Sequence, residues 1–309
     1  MKTRDRLGLV VGAAGALAVV PLFLSGPHTR ELATAGALTV AILGLDLLVG
    51  RSGRMSFGQG AFMAVGGYAT AILCGRHGVG VFVTIPIAGA AGGAAGLLAG
   101  LPALRLRGRA LEIVTFTAAV VLPTVALRFD GLTGGAAGIS VERHSPGVVY
   151  AVAWGIAAVL FLAAWGLSES RFAFRLRAAA ENDLAAAAAG VNRSGGRLTA
   201  LAIAGAYGGV AGGLLVATVG RVDPGTFPLR LSLLLLAGTL IAGMGSIWGA
   251  VIAALLIRYL GDIVGFLPHV GSHEPGPASF VLGLFLVAVA LTHGITAAVG
   301  RARHSPPSE

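Results

Sequence analysis

Long runs of residues with scarcely a charge recur along this chain, and they limit its fold more than any other feature. A helix rises about 1.5 Å per residue, so roughly 20 apolar residues cross the hydrocarbon core of a bilayer. Ten such segments are read here, at 7–25, 32–49, 56–75, 79–101, 110–127, 148–167, 198–219, 230–244, 247–264 and 278–299. They do not alternate apolar with polar residues, which excludes the strand pattern of a membrane β-barrel. The expected fold is an all-α polytopic membrane protein of about ten transmembrane or re-entrant helices, with an internal repeat and broken helices. The stretch 230–264 reads either as one long broken helix or as two short ones.

Composition supports this and removes a tempting alternative. Hydrophobic residues make up 56% of the 309 and charged residues only 11%, where soluble domains carry about a quarter charged residues. The 49 glycines suit helices that approach closely inside a bilayer. A net charge of +9 would point to nucleic acid in a soluble protein, but here the basic residues flank the apolar runs and set orientation. With the N-terminus inside, 15 of the 22 basic residues fall on inner segments, at 2–6, 51–54, 105–109, 171–197 and 301–303. That asymmetry places both termini in the cytoplasm. The first run could pass for a signal peptide, yet it lacks a clear small-x-small cleavage site, so a retained first span is expected. Residues 1–300 then form one transmembrane domain, and the tail 301–309, with Pro306 and Pro307, is expected to be disordered. The single cysteine, Cys74, lies in an apolar stretch and is read as a packing residue.

Three features interrupt the apolar pattern. Glycines and hydroxyls break it at 53–60, around Ser56 and Gln59, and again at 243–249, around Ser246. Backbone freed from helix is tolerated at membrane depth only where protein or water satisfies it, so paired breaks mark either a transport pathway or tight turns. The third interruption is the charged interval 171–197. Its helix formers place Phe172, Leu176, Ala180 and Leu184 at four-residue spacing as an apolar stripe, and Gly190 suits a helix C-cap. This amphipathic helix is expected outside the bilayer, on the inner side, where a soluble partner would meet it.

Little in the sequence carries catalysis. His269 and His273 are the only close histidines, and Gly271 and Pro275 between and after them argue for loop rather than metal site. The only lysine is Lys2, so no Walker A loop exists and any ATP hydrolysis must come from another subunit. Acids within apolar segments are few: Asp46, Glu112 and Asp262, the last four residues after Arg258. Charge in a bilayer is expensive, which makes Asp46 a residue of the pathway or a packing partner of an arginine. No chain of acids crosses the membrane, which weighs against a stand-alone secondary transporter. A membrane-embedded enzyme is weaker still.

Five motifs in order then resemble a known family. They are 45–62, ending in Ser56-Phe57-Gly58-Gln59-Gly60-Ala61-Phe62; Leu104-Arg105-Leu106-Arg107-Gly108 with Ile113-Val114-Thr115-Phe116; and Arg128-Phe129-Asp130-Gly131-Leu132-Thr133-Gly134-Gly135 with Gly138. The others are Arg177, Glu181, Asn182, Ala185, Ala186, Gly190 and Asn192 within 177–192, and 243–249. Together they resemble the permease subunits of ATP-binding-cassette importers for branched-chain amino acids, of the LivM type. One departure is Asp46, which stands where that family usually has asparagine. Similar permeases serve urea and other amides.

The resemblance implies a multi-pass permease in a bacterial-type cytoplasmic membrane, not itself an enzyme and without a cofactor or resident metal. It implies a second permease subunit, two cytoplasmic ATPases and an extracytoplasmic substrate-binding protein as partners. It assigns ATPase coupling to Arg177, Glu181, Asn182, Gly190 and Asn192. It assigns the translocation pathway to Asp46, Ser56, Gln59, Thr115 and Ser246.

Overall fold

A computed structural model describes residues 26–265, except 106–109, 183–185, 187, 189, 191, 242 and 244. The expected spans at 7–25 and 278–299, the pair His269 and His273, the tail 301–309 and the side chains of Leu184 and Asp262 lie outside the described residues. By contacts the chain divides into two compact units, Met1–Leu255 and Leu256–Glu309. In the second unit the described part is the end of one helix, where the Arg258 guanidinium lies 5.7 Å from the ring centroid of Tyr259.

The first unit is built from helices. Four come first: α1 (Gly26–Ser52), α2 (Gln59–His77), α3 (Val81–Arg105) and α4 (Ala110–Arg128). A short α5 (Asp130–Thr133), a turn of 3-10 helix and strand β1 (Ile139–Ser140) lead into α6 (Pro146–Ser168). Then follow α7 (Arg171–Glu181), α8 (Arg193–Val219), strand β2 (Arg221–Val222), α9 (Leu229–Ile241) and α10 (Ile247–Gly265). Among the described residues, α1, α3, α4, α6 and α8 contain segments long and apolar enough to cross a membrane. The chain is thus a multi-pass membrane protein. The stretch 230–264 resolves as two helices, and α9, at 13 residues, extends only about 20 Å.

Helices α1 and α8 form the centre of the bundle. Of the most apolar 18-residue window, 89% is buried in α1 and 78% in α8, against 17% in α4. Such centrality demands small side chains on α8. A Cβ on Gly209 would overlap the carbonyl of Ala88 on α3, and one on Gly212 the carbonyl of Met63 on α2. These helices therefore meet backbone to backbone, the geometry small residues permit between membrane helices. Polar cross-ties complete the packing. Tyr207 Oη donates to the Leu160 carbonyl at 2.9 Å, and Trp154 Nε1 to the Leu32 carbonyl at 3.0 Å.

Two local features depart from the sequence expectations. Within 129–147, β1 pairs antiparallel with β2, Ile139 opposite Val222 and Ser140 opposite Arg221, so the fold is not the all-α one expected. A two-residue strand has no periodicity to detect. Helix α1 also starts six residues before the expected 32, taking Arg30 into its first turns. The Arg30 guanidinium donates to the carbonyls of Thr218 (3.2 Å) and His144 (2.8 Å), tying down two chain segments at the same end of the bundle.

After β2 the chain does not return to helix at once. Residues 223–228 are non-helical, closed by a turn in which Thr226 N–H donates to the Asp223 carbonyl at 3.0 Å. Phe227, 4% exposed, fits beside α2 because Gly67 has no side chain; a Cβ there would lie 2.7 Å from the Phe227 ring.

Candidate functional site

The first break spans 53–58, between α1 and α2, and begins at Gly53 with φ +63°. A helix N-terminus leaves amides without intrahelical partners, and in a bilayer water is not at hand to take them. Here hydroxyls do so. Thr115 Oγ1 on α4 accepts from Phe57 N–H at 3.1 Å, and Ser56 Oγ from Gly58 N–H at 3.4 Å. Ser232 Oγ on α9 accepts from Gly60 N–H at 3.0 Å. The break is thus stitched to α4 and α9 rather than left open.

Gln59 follows at once. Its Nε2 donates to the carbonyls of Ala41 on α1 (2.9 Å) and Ala204 on α8 (3.3 Å), joining the two central helices. Its Oε1 has no hydrogen-bond partner among the described residues. Ser56, Gln59 and Thr115 are all fully buried.

The second break, 243–246, is shaped by Gly243 (φ +81°) and Gly245 (φ +85°), left-handed conformations that side chains with a Cβ resist. It rests on α1. Asp46 Oδ1 accepts from Gly245 N–H at 2.6 Å, and Arg51 Nη2 donates to the Gly245 carbonyl at 3.3 Å. Gly50 lies between those two side chains on the same helix, and a Cβ on it would come within 2.5 Å of the Gly245 nitrogen. Ser246 starts α10: its Oγ accepts from Gly249 N–H at 3.3 Å.

Of the five pathway residues expected from sequence, Ser56 and Thr115 meet at the first break, Gln59 ties it to α1 and α8, and Asp46 reaches the second break beside Ser246. Two participants escaped sequence reading. Ser232 is a lone hydroxyl in a leucine run, which was its only signal. Arg51 was counted as a flanking charge, although it is only 9% exposed.

Helix α7 lies where the charged interval was expected and is shorter. Ser170 caps its start, accepting from Ala173 N–H at 3.3 Å, and Asn182 is the cap residue at its end. Its inward face is Ala173, Leu176 and Ala179, with Phe172 partly buried. Ala180, expected in the stripe, is exposed: with 3.6 residues per turn, the inward line follows i, i+3 steps over three turns. Leu176 joins a buried cluster with Leu48 of α1, Phe62 of α2, and Ala200, Leu201 and Ala204 of α8. The outward face carries Arg171, Phe174, Arg175, Arg177 and Glu181, and Phe174 is 71% exposed.

The remaining coupling residues fix this element. Arg177 Nη2 donates to the Ser168 carbonyl at the end of α6, at 2.8 Å. Beyond Glu181, the Asn182 carbonyl accepts from Ala186 N–H at 3.0 Å, and Gly190 takes φ +74°, the left-handed conformation expected of it. Asn192 caps α8, its Oδ1 accepting from Gly195 N–H at 2.9 Å. Substituting Asn192 by alanine is expected to cost about 1 kcal/mol in unfolding measurements, the usual worth of an N-cap. Between α7 and the start of α8 opens a cavity of about 400 Å³, lined by Phe172, Arg175, Leu176, Asn192, Arg197 and Thr199 among others.

Comparison with known proteins bears on what this arrangement serves. The family described as "Branched-chain amino acid transport system / permease component" matches residues 29–290. The chain is 31% identical over 274 residues to the high-affinity branched-chain amino acid transport system permease protein LivM of Escherichia coli K12, covering 78% of this chain and 64% of that protein. It is 29% identical over 274 residues to the LivM protein of Salmonella typhimurium LT2, with the same coverage. The chain therefore spans less than two thirds of the length of the curated relatives it matches. No solved structure matches it.

Proposed function

This chain belongs to the family of permease components of branched-chain amino acid transport systems, and on that premise we propose that it is one transmembrane half of an ATP-driven importer. Its substrate is a branched-chain amino acid or a close small polar analogue. A second permease subunit completes the path, two cytoplasmic ATPases drive it, and an extracytoplasmic binding protein delivers the substrate. The unit is a single transmembrane permease domain with both termini in the cytoplasm, and α7 is the element an ATPase engages.

The observation that carries the proposal is the two-faced seating of α7. Inward, Leu176 is locked into the cluster formed with Leu48, Phe62 and Leu201, so a push on α7 is a push on α1, α2 and α8. Packed interiors transmit displacement because they do not compress. Outward, an aromatic side chain among three arginines and one glutamate is left at the end of the bundle, beside a cavity that Arg175 and Arg197 make basic. Buried aromatic and arginine anchors dominate protein–protein contacts. Glu181 and Asn182 supply polar contacts to the ATPase, while Arg177 fixes the angle of α7 against α6. Nucleotide-driven closure of the ATPases then switches the bundle between outward- and inward-facing arrangements.

The test is co-expression with the chain's ATPase partners. Glu181→Ala is expected to reduce co-purification of the ATPase and substrate-stimulated ATP hydrolysis, with unchanged amounts of permease in the membrane. Wild-type levels of both would refute the assignment of α7. Leucine uptake, with isoleucine, valine and urea as competitors, identifies the substrate class.

A further inference from the structure

Asp46 and Arg51 sit five residues apart on α1 and hold the two polar groups of one residue, Gly245: the carboxylate takes its N–H and the guanidinium its carbonyl. They do so across 199 and 194 residues of sequence. Only one edge of each side chain is used, for Asp46 Oδ2 and Arg51 Nε are buried without hydrogen-bond partners among the described residues. Hydrogen bonds to charged groups are stronger than those between neutral ones, and desolvation strengthens them further.

The attachment is also confined to a small contact. Gly50 and Gly245 approach so closely that no side chain fits between them, so the break and α1 are either in register or apart. Arg51 faces a second element besides. It shares a small cavity of about 10 Å³ with Phe172 and Ala173 of α7 and with Leu167 at the end of α6.

We propose that Asp46 and Arg51 form a latch on Gly245 that keeps the second glycine break against α1, and that Arg51 links this latch to the position of α7. Both are positioning residues. Displacing α7 moves the wall against which Arg51 is packed, the Gly245 carbonyl loses its donor, and the break is freed at the Ser246 end of α10. The proposal rests on α7 being the element that an ATPase moves. It goes further in naming the contact through which that movement reaches the membrane interior.

The lone cysteine makes the test clean. In a Cys74→Ala, Ser246→Cys parent, membranes containing the full chain are treated with N-ethylmaleimide and the labelling rate of the cysteine at 246 is followed. Asp46→Ala and Arg51→Gln are each expected to raise that rate about tenfold, the consequence of losing one charge-assisted hydrogen bond. Asp46→Asn keeps an oxygen for the Gly245 N–H but loses the charge, so it is expected to label between the parent and Asp46→Ala, about threefold faster than the parent. Should Asp46→Ala fail to accumulate in membranes, Arg51→Gln and Asp46→Asn decide between them. Parental labelling in Arg51→Gln would overturn the latch. Phe172→Ala, which removes one α7 side chain from the wall beside Arg51, is expected to speed labelling too. If it leaves the rate unchanged while Arg51→Gln raises it, the link to α7 is overturned. Leucine uptake by the unsubstituted chain judges the importer assignment separately, since the labelling ratios do not depend on it.

Discussion

Gly209→Val is expected to leave little correctly assembled protein. Any Cβ at 209 lies 2.9 Å from the carbonyl carbon of Ala88 and 3.0 Å from Cα of Gly92, both main-chain atoms of α3. A side chain in the way could rotate aside, but a helix backbone cannot. The clash is relieved only by moving α3 away from α8, which opens a backbone-to-backbone contact of the bundle. Overpacking typically costs about 1–3 kcal/mol and more where nothing can yield, so the upper end of that range is expected here. Thermal unfolding of the detergent-solubilised protein, with monodispersity on gel filtration, measures it. Gly155→Ala on α6 is the control: beyond its own stretch of helix, nothing among the described residues lies within 4 Å of its added methyl group, and its midpoint should be at or slightly above the parent's. Equal midpoints for the 209 and 155 variants would mean that α8 and α3 are not in backbone contact.

Gln59→Glu should be at least as damaging, for an electrostatic reason. The amide of Gln59 donates to two carbonyl oxygens at full burial. A carboxylate in the same position has no proton to offer and presents its charge to those oxygens. Leaving a buried charge uncompensated costs about 3–5 kcal/mol. Gln59→Met keeps the volume and removes only the two donated bonds. Its cost should be about 1 kcal/mol, because helix carbonyls 41 and 204 belong to the interiors of their helices. The ordering Glu far below Met, read from the same unfolding curves, is the signature of a donor role. If the two variants are equally stable, Gln59 is not the cross-tie between α1 and α8.

The sequence revealed as much of this site as local chemistry can encode. Glycine runs at 53–60 and 243–249 marked both breaks because they deny the backbone its helical conformation, which is a property of the residues themselves. Ser170, Asn182 and Asn192 end or begin helices for similarly local reasons, and Gly190 takes the positive φ that its position suggested. Pairing was not legible. Nothing in a run of leucines shows that Ser232 will cap the start of α2, or that Asp46 and Arg51 will grip a glycine 199 and 194 residues away. Those facts arise when α1 and α9 are brought together by packing. The stripe on α7 failed at Ala180 for a subtler reason. On a three-turn helix of alanines, four-residue and three-residue spacings are both available, and only the neighbours α1 and α8 decide between Ala179 and Ala180. Strands of two residues, as at 139–140, lie below the length at which alternation carries information.

The sparse burial of α4 has a meaning of its own. Ile113, Val120, Val121, Val125 and Leu127 are exposed; apart from Thr115, Ala119 and Ala126, and Phe116, whose ring meets Phe57, little of α4 is held tightly by its neighbours. An acyl chain or an apolar neighbour satisfies such a face equally well, so no particular residue is required on it beyond being apolar. On α4, then, most of the letters describe the solvent in which the protein dissolves. On α1, where side chains of five neighbouring elements must fit, nearly every letter describes the protein. The information that specifies this fold is carried by its buried apolar positions, from Gly209 and Gly212 to Leu43, Leu45 and Leu48.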